Sequence, residues 1–592
     1  MRSPATCRIG NPDIEAEIAA LETALWAHGF DATNLAAYQA AHRRLELIAA
    51  NGDDRRHKFV IVVPVADRPQ HLAACLDSLL ALCRAYGYGG VRNGRWRKVM
   101  VVIADDSADY AHIADNRALA AQVTALGLTT HHFGPDEQAA LLATLNDSER
   151  STLTQALGDT TPAYRGHKGQ GAMRNLAYLH LARMQHAEPN ERLLFWSIDS
   201  DQEFAVKVGT VTGDVDVCAV SFFHRLDEIF DQSDALVLTG KVVGDPPVSP
   251  AVMAGNFLAD VVDFVQLAAD ADPAAACRHH DRDAHREGEA AYHDMASLFG
   301  FSAASAAYRY HCPLIGAHTE ADCFAHFAAR LNGFFYGEHP TRVSRYVHDE
   351  LWRSVQPART VYAGNYVFRP EALKYAIPFA ALRLRMSGPT LGRLVKAESG
   401  ARFVSANLPM LHKRTVEGTG QSEFRPGIDG ARSNVDMCGE FERQFFGDVM
   451  LFTIERLTAD GYPLRRTPTG IPSGHATADF QRALDTVRDE LLRQYNAKRI
   501  DILGKLAHLK ELLDDPTRWW PAADAHASAR ADFRSFAENI ARNFGADSPC
   551  RERINSASNW RRWRGDFLAA ITRYPDDTNA WRDAIARRAS AE

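Results

Sequence analysis

The apolar positions of this chain follow two alternating patterns. KFVIVVPVADRP, from Lys58, is a continuous β-branched run stopped by prolines, as expected of a strand buried on both faces, and QHLAACLDSLLALCRAYG after it has a helical period. The plan returns in RKVMVVIADDSAD, and again where YRGHKGQGAMRNLAYLHLARM leads into RLLFWSID. Strands alternating with helices predict an α/β fold with a mostly parallel sheet covered on both faces. Upstream, IEAEIAALETALWAHGF and NLAAYQAAHRRLELIAA are helical in period and end at the polar break NGDDRRH, so a helical N-terminal segment is expected over residues 1–55. After about residue 415 the strand signals fade, and FERQFFGDVMLFTIERL and FQRALDTVRDELLRQYNAKRIDILGKLAHLKELL predict a helical region over 417–592. The α/β domain is then expected over 56–416. Within it, about 262–300, lies an Ala-, Asp- and His-rich stretch that reads as a solvated helical insertion, with no metal-ligand spacing among its histidines.

Composition narrows the picture. With 592 residues, 46% hydrophobic and 24% charged, the chain has apolar material for a large core and for more than one domain. A formal charge of −7 supplies no global attraction for nucleic acid or anionic membrane. The N-terminus lacks the apolar core of a secretory signal, and no segment approaches the roughly 18–20 uninterrupted apolar residues of a membrane helix. The nine cysteines are scattered without a CxxC pair, which predicts reduced thiols, no disulfide framework and a cytoplasmic location. Near the C-terminus, Trp560, Trp563 and Trp581 alternate with arginines; at helical spacing they read as core positions with a solvated rim.

The ends of the predicted strands carry the chemistry. In open α/β sheets ligands bind beyond the carboxyl ends of the strands, and Pro64, Asp67, Arg68, Asp105, Asp106, Asp199 and Asp201 all lie at such ends. A buried carboxylate is costly unless it is paired or holds a metal, so the acids of LLFWSIDSDQEF require a partner. In GHKGQGAMRNLAYLHLA the glycines permit close backbone approach, Lys168 and Arg174 bring positive charge, and the following helix offers N–H groups to a phosphate. A glycine-rich loop with a solvated basic face has the same pattern. What favours phosphate is order: a diacid follows the next strand, and two carboxylates can hold Mg²⁺ or Mn²⁺ while the ion bridges phosphate oxygens.

In that order, VIVVPVADRPQHLAACLDSL, VVIADDSAD, GHKGQGAMRNLAYLHLA and LLFWSIDSDQEF resemble the successive nucleotide-sugar motifs of GT-A-fold glycosyltransferases of the family-two type. TVYAGNYVFRPEAL is similar to that family's acceptor-side segment, and ANLPMLHKRT to its late strand with a metal-binding histidine. The resemblance covers about residues 57 to 416. It implies a hexosyltransferase-like enzyme that moves a sugar from a nucleoside diphosphate sugar to a hydroxyl acceptor, whether small molecule, glycan or lipid-linked, with Mg²⁺ or Mn²⁺ as cofactor. By the same resemblance Pro64, Asp67 and Arg68 would lie beside the nucleoside, and Asp105 or Asp106 would bond base or ribose. Lys168, Gly169 and Arg174 would face the diphosphate. Asp199 and Asp201 would be the DxD-type acids, Asp201 ligating the metal and Asp199 contacting ribose or metal, with His412 as a further ligand.

One position departs from the family. Inverting members place a Glu-Asp pair before an LGxRL-like helix as the acceptor's base, whereas RMSGPTLGRLVKAESG has Pro389 and Thr390 there. Neither accepts a proton at neutral pH. Three accounts stand side by side. The enzyme retains configuration and the leaving phosphate takes the proton, as the likeness of YAGNYVFRPEALKYAIPFAA to retaining glucosyl- and mannosyl-glycerate synthases suggests; or Glu398, Asp349 or Glu350 supplies the base; or the domain binds donor without turnover. A nucleotidyltransferase on a related sheet is the nearest other enzyme. Asp245 and Asn256 are candidate substrate contacts, and homo-oligomer contacts through the C-terminal helices stay open.

Overall fold

A computed structural model describes residues 11–50, 52, 54–158, 166–210, 213–279, 310–414, 425–463, 477–521 and 524–590. The strands that position the site are β1 (Lys58–Val65), β2 (Val99–Asp105), β3 (Thr130–Phe133), β4 (Leu193–Ile198), β5 (Gln202–Glu203), β6 (Val237–Thr239), β7 (Val242–Gly244), β8 (Gln356–Pro357), β9 (Asn365–Phe368), β10 (Phe403–Ser405) and β11 (Met410–His412). Eight of them form one mixed, mostly parallel sheet in the order β8-β10-β6-β9-β4-β1-β2-β3; β7, β11 and β5 form a small second sheet. β1 is central and parallel to both β2 and β4, and β9 runs antiparallel to β4.

The continuous apolar runs follow from burial on both faces. Phe59, Ile61 and Val63 of β1 and Trp196 of β4 join one core, into which the N-terminal helices α1 (Pro12–Trp26) and α2 (Ala32–Ala49) and helix α3 (Pro69–Tyr86) also pack. The alternate residues Val60, Val62 and Phe195 join a second core under α4 (Gln170–Ala187). Each such side chain, moved out of water, contributes roughly 1.5–3 kcal/mol, so the alternation fixes which residues face which layer.

A third core is helical. It unites α5 (Pro250–Ala269), α6 (Glu320–Arg330), α8 (Cys438–Ala459), α9 (Thr477–Asp514), α10 (Ala527–Phe544) and much of α11 (Ala557–Ala589), with α7 (Ser387–Ser399), which packs on α8, contributing Leu394. The long C-terminal helices therefore do not bury their apolar faces among themselves alone: α9 packs along α5, which the chain places between β7 and β8. Trp563 is buried in this core, and Trp581 reaches back to the sheet's second core, its indole N–H donating to the Leu373 carbonyl at 2.8 Å.

One expectation changes here. The first part of the expected solvated insertion is the end of α5, with Val262, Phe264 and Val265 buried; residues 280–300 of it, like the expected boundary at 416–417, lie outside the described residues. Helix α5, 20 residues long with a window of mean hydropathy 1.4, is long and apolar enough to cross a membrane by length and composition, although 72% of that window is buried inside the fold. Its Asp260 is neutralised by Arg342, whose Nε donates to Oδ2 at 2.8 Å.

Candidate functional site

The register brings three strand exits level. Val65 pairs with Asp105 and Val62 with Ser197, so the segments after β1, β2 and β4 leave the sheet together. They open on a cavity of about 480 Å³, inside the range of roughly 300–1,000 Å³ usual for small-molecule sites. Pro64, Arg68, Asp106, Gly169, Asp199 and Asp201 line it, together with Arg383, Arg385, Arg414, Arg425, Arg443, Glu440 and the start of α7 at Ser387 to Pro389.

Asp201 lies at the base, 4% exposed. Its Oδ2 accepts from Arg68 Nη1 at 3.0 Å and from Arg414 Nη1 at 2.5 Å. Oδ1 is buried without a hydrogen-bond partner and lies 3.7 Å from His412 Nε2. The histidine arrives there because β11 pairs antiparallel with β5, His412 opposite Gln202. Its Nδ1–H donates to the Asp245 carbonyl at 2.6 Å, so the other ring nitrogen, Nε2, is the one that faces Asp201. Burial alone would raise the Asp201 carboxyl, but Arg414, His412 and Arg68 outweigh it and hold the group well below the usual carboxylate range. A buried carboxylate oxygen without a hydrogen-bond partner beside an imidazole nitrogen is a donor set that fits Mg²⁺ or Mn²⁺ once the ring is neutral.

Asp199 points elsewhere. Arg174, itself buried, donates to its Oδ1 and also to the Ala363 carbonyl at 3.1 Å, tying the strand exit to the segment before β9. Gly364 is required opposite: a Cβ there would meet Asp199 Oδ2 at 2.6 Å. Among the described residues Asp199 does not join Asp201 and His412 in one cluster of ligand atoms, so in this structure the metal ligands expected at the site reduce to Asp201 and His412.

The remaining expected residues divide by where their polar atoms go. Asp105 is fully buried and fully engaged, with Ser107 N on Oδ1 and Asn116 and His132 on Oδ2, so it supports the loop and does not face the cavity. Asp106 lines the cavity in its place, accepting from the backbone N–H groups of Lys168 and Gly169 at 2.9 and 3.0 Å; burial raises its carboxyl against the pull of Lys168. Lys168 Nζ lies 3.7 Å from Asp106 and does not line the cavity, whereas Gly169 does, at a φ of 99° that favours glycine. Asp67 binds the strand-end loops to one another, accepting from Ala108 N, Asp109 N and His167 Nε2. Asp245 holds His412, and Asn256 is bonded to Lys498 in the helical core.

The expected alternative bases lie outside. Glu398 sits at the far end of α7 from the residues that line the cavity, its side chain 41% exposed and paired with Lys374 and Arg582. Asp349 pairs with Arg353, and Glu350 caps a short helix by accepting from Trp352 N and Arg353 N. Glu398, expected as a catalytic base, thus does not line this cavity.

Sequence reasoning missed the lining residues Arg383, Arg385, Arg414, Arg425, Arg443 and Glu440. Glu440 is 0% exposed; Arg385 and Ser249 donate to its Oε1, with Arg425 at 3.5 Å. Burial would raise this carboxyl, yet Arg385, Arg425 and Arg443 bring it to about 2. Burial, then the like charge of Arg414, disfavours the charged form of Arg425. Six lining arginines (Arg68, Arg383, Arg385, Arg414, Arg425, Arg443) thus face four lining carboxylates (Asp106, Asp199, Asp201, Glu440), a balance that a bound anion would improve. The only trace in the sequence is the arginine density of ALRLRMSG and HKRT, which carries no spacing rule.

Fold and cavity together define an α/β protein with a cleft, lined by both arginines and carboxylates, at the carboxyl edge of its sheet. Comparison with protein-family models finds no match, and comparison with curated proteins finds none either.

Proposed function

We propose that this protein is a metal-dependent glycosyltransferase of the GT-A type, moving a sugar from a nucleoside diphosphate sugar to a hydroxyl acceptor. The observation that carries the reading is Asp201, which lines an arginine-rich cleft and has His412 Nε2 3.7 Å behind its Oδ1. Pro64 and Asp106 offer an apolar edge and a hydrogen-bonding carboxylate to a nucleoside. Arg385, Arg425 and the first-turn amides of α7 offer charge and N–H donors to a diphosphate. Asp201 and His412 would hold the divalent ion, which when bound supplies Lewis-acid stabilisation of the charge on the departing diphosphate.

The acceptor's proton is the second question. Each lining carboxylate among the described residues is engaged, Asp106 by amide N–H groups and Asp199, Asp201 and Glu440 by arginines. At the position of the family's base stand Pro389 and a buried Thr390, whose hydroxyl donates to the Met386 carbonyl at 2.7 Å. This favours retention, with a leaving diphosphate oxygen taking the proton. The same engagement also suits a protein that binds donor and does not turn it over, and turnover separates the two.

The test is a thermal-shift panel of nucleotide sugars with and without Mn²⁺ on the full chain, followed by product analysis with the donor it identifies. One donor class is expected to raise the melting temperature further with Mn²⁺, and nucleoside diphosphate to be released with the anomeric configuration kept. Release of pyrophosphate would make it a nucleotidyltransferase. No shift with any nucleotide sugar would overturn the reading.

A further inference from the structure

Away from the cleft, four potential ligands meet at the base of α6. Cys277 Sγ and Cys312 Sγ lie 2.9 and 2.8 Å from Cys323 Sγ, and His318 Nε2 lies 3.3 Å from Cys312 Sγ. All four ligand atoms fall within 4.8 Å of one another, with Cys312 and Cys323 buried and Cys277 and His318 half-buried. None of the four lines the cavity described above. We propose that Cys277, Cys312, His318 and Cys323 form a structural zinc site, closed by three thiolates and one imidazole.

The surroundings prepare these groups as ligands. The backbone N–H of Cys277 donates to the His318 carbonyl at 3.1 Å and that of Cys312 to the His279 carbonyl at 3.0 Å, so the three chain segments are held in one arrangement before any ion binds. His318 Nδ1–H donates to the Gly316 carbonyl at 2.7 Å; the proton sits on that nitrogen, and Nε2 faces the sulfurs as a lone pair. The N–H of His279 approaches Cys277 Sγ at 3.4 Å, a contact that favours thiolate. Cys323 lies in the first turns of α6, where the helix dipole favours negative charge.

A disulfide accounts for less. Cys323 is nearly equidistant from two sulfurs and could bond only one, leaving the third thiol and the histidine unexplained. A tetrahedral ion uses all four, and three sulfurs with one imidazole nitrogen is a composition that selects zinc. The position of the site explains what an ion would do there. Its ligands come from both sides of residues 280–309, and α6 carries Phe324 and Phe327 into the helical core against Phe533 of α10. One ion therefore fastens the chain before and after those residues to the same core.

Zinc should be measured by elemental analysis on full-length protein purified under reducing conditions with zinc in the medium, and the site read by cobalt(II) substitution. About one zinc per chain is expected, with a thiolate-to-cobalt charge-transfer band and intense visible bands of tetrahedral coordination. Cys312→Ser is expected to hold less than about a tenth of the wild-type zinc under chelator competition, and Cys550→Ser to hold all of it. Because the cobalt spectrum is read on the wild type, a poorly folding variant does not decide the matter. Zinc-free wild type with no tetrahedral cobalt spectrum, a native disulfide at Cys323, or loss of zinc from Cys550→Ser alone would each overturn the site.

Discussion

His412 presents Nε2 to Asp201 Oδ1 at 3.7 Å while its other ring nitrogen is held by the Asp245 carbonyl, so a strand residue and an acid in the turn after β4 meet at one point. If a divalent ion binds there, His412→Asn weakens Mn²⁺ binding in the presence of nucleoside diphosphate by at least about tenfold. Asp201→Asn is expected to cost turnover about 10²–10³-fold with the fold retained. Manganese titration by calorimetry checks the first and initial rates check the second; unchanged manganese affinity in both variants would separate the pair from the metal.

Glu440 stands among arginines and its folded value, about 2, lies below the ordinary 4.5. A depressed carboxyl stabilises the fold above its unfolded value and loses that contribution as pH falls from 4.5 toward 2. Glu440→Gln is expected to remove about 3 kcal/mol near neutral pH and to flatten the acid limb of the stability profile. Urea unfolding against pH measures both. Added diphosphate should recover part of the loss, because it supplies the missing negative charge to the arginines.

Asp448 behaves oppositely. It is buried in α8, hydrogen-bonded by Tyr495 and Gln444, and burial raises its carboxyl to about 7. Between 3.8 and 7 the folded state binds a proton that the unfolded state has released, so stability falls as pH rises through this window. Asp448→Asn is expected to stabilise the protein, more at about pH 8 than at about pH 5. A gain independent of pH would refute the assignment.

Glu398 is exposed, and its ion pairs with Lys374 and Arg582 lie on the surface. Glu398→Gln should leave donor binding and turnover as they are and change stability by less than about 1 kcal/mol. A large loss of turnover would restore it as a base and contradict its position at the far end of α7.

The local signals in the sequence were sufficient for the three central strands and their ends. Continuous apolar runs at 58–65, 99–105 and 193–198 became the central strands because a strand buried on both faces has no polar position to alternate. The glycine at 169 and the acid at 201 were legible since both mark where such a strand or loop must stop. What the residues do there was not legible. Asp199 and Asp201 differ by two positions, and only packing turns one to Arg174 and the other to His412. Asp105 and Asp106 are adjacent, and only the loop's hydrogen bonds decide which one reaches the cavity. The lining arginines and the Cys277–Cys323 cluster join segments with no common period, and periodicity reports on neighbours three or four residues apart at most. Layering and strand ends are therefore properties of the sequence itself, while the choice of partner for each charge or thiol belongs to the tertiary structure, because it depends on distances between residues that the chain keeps far apart.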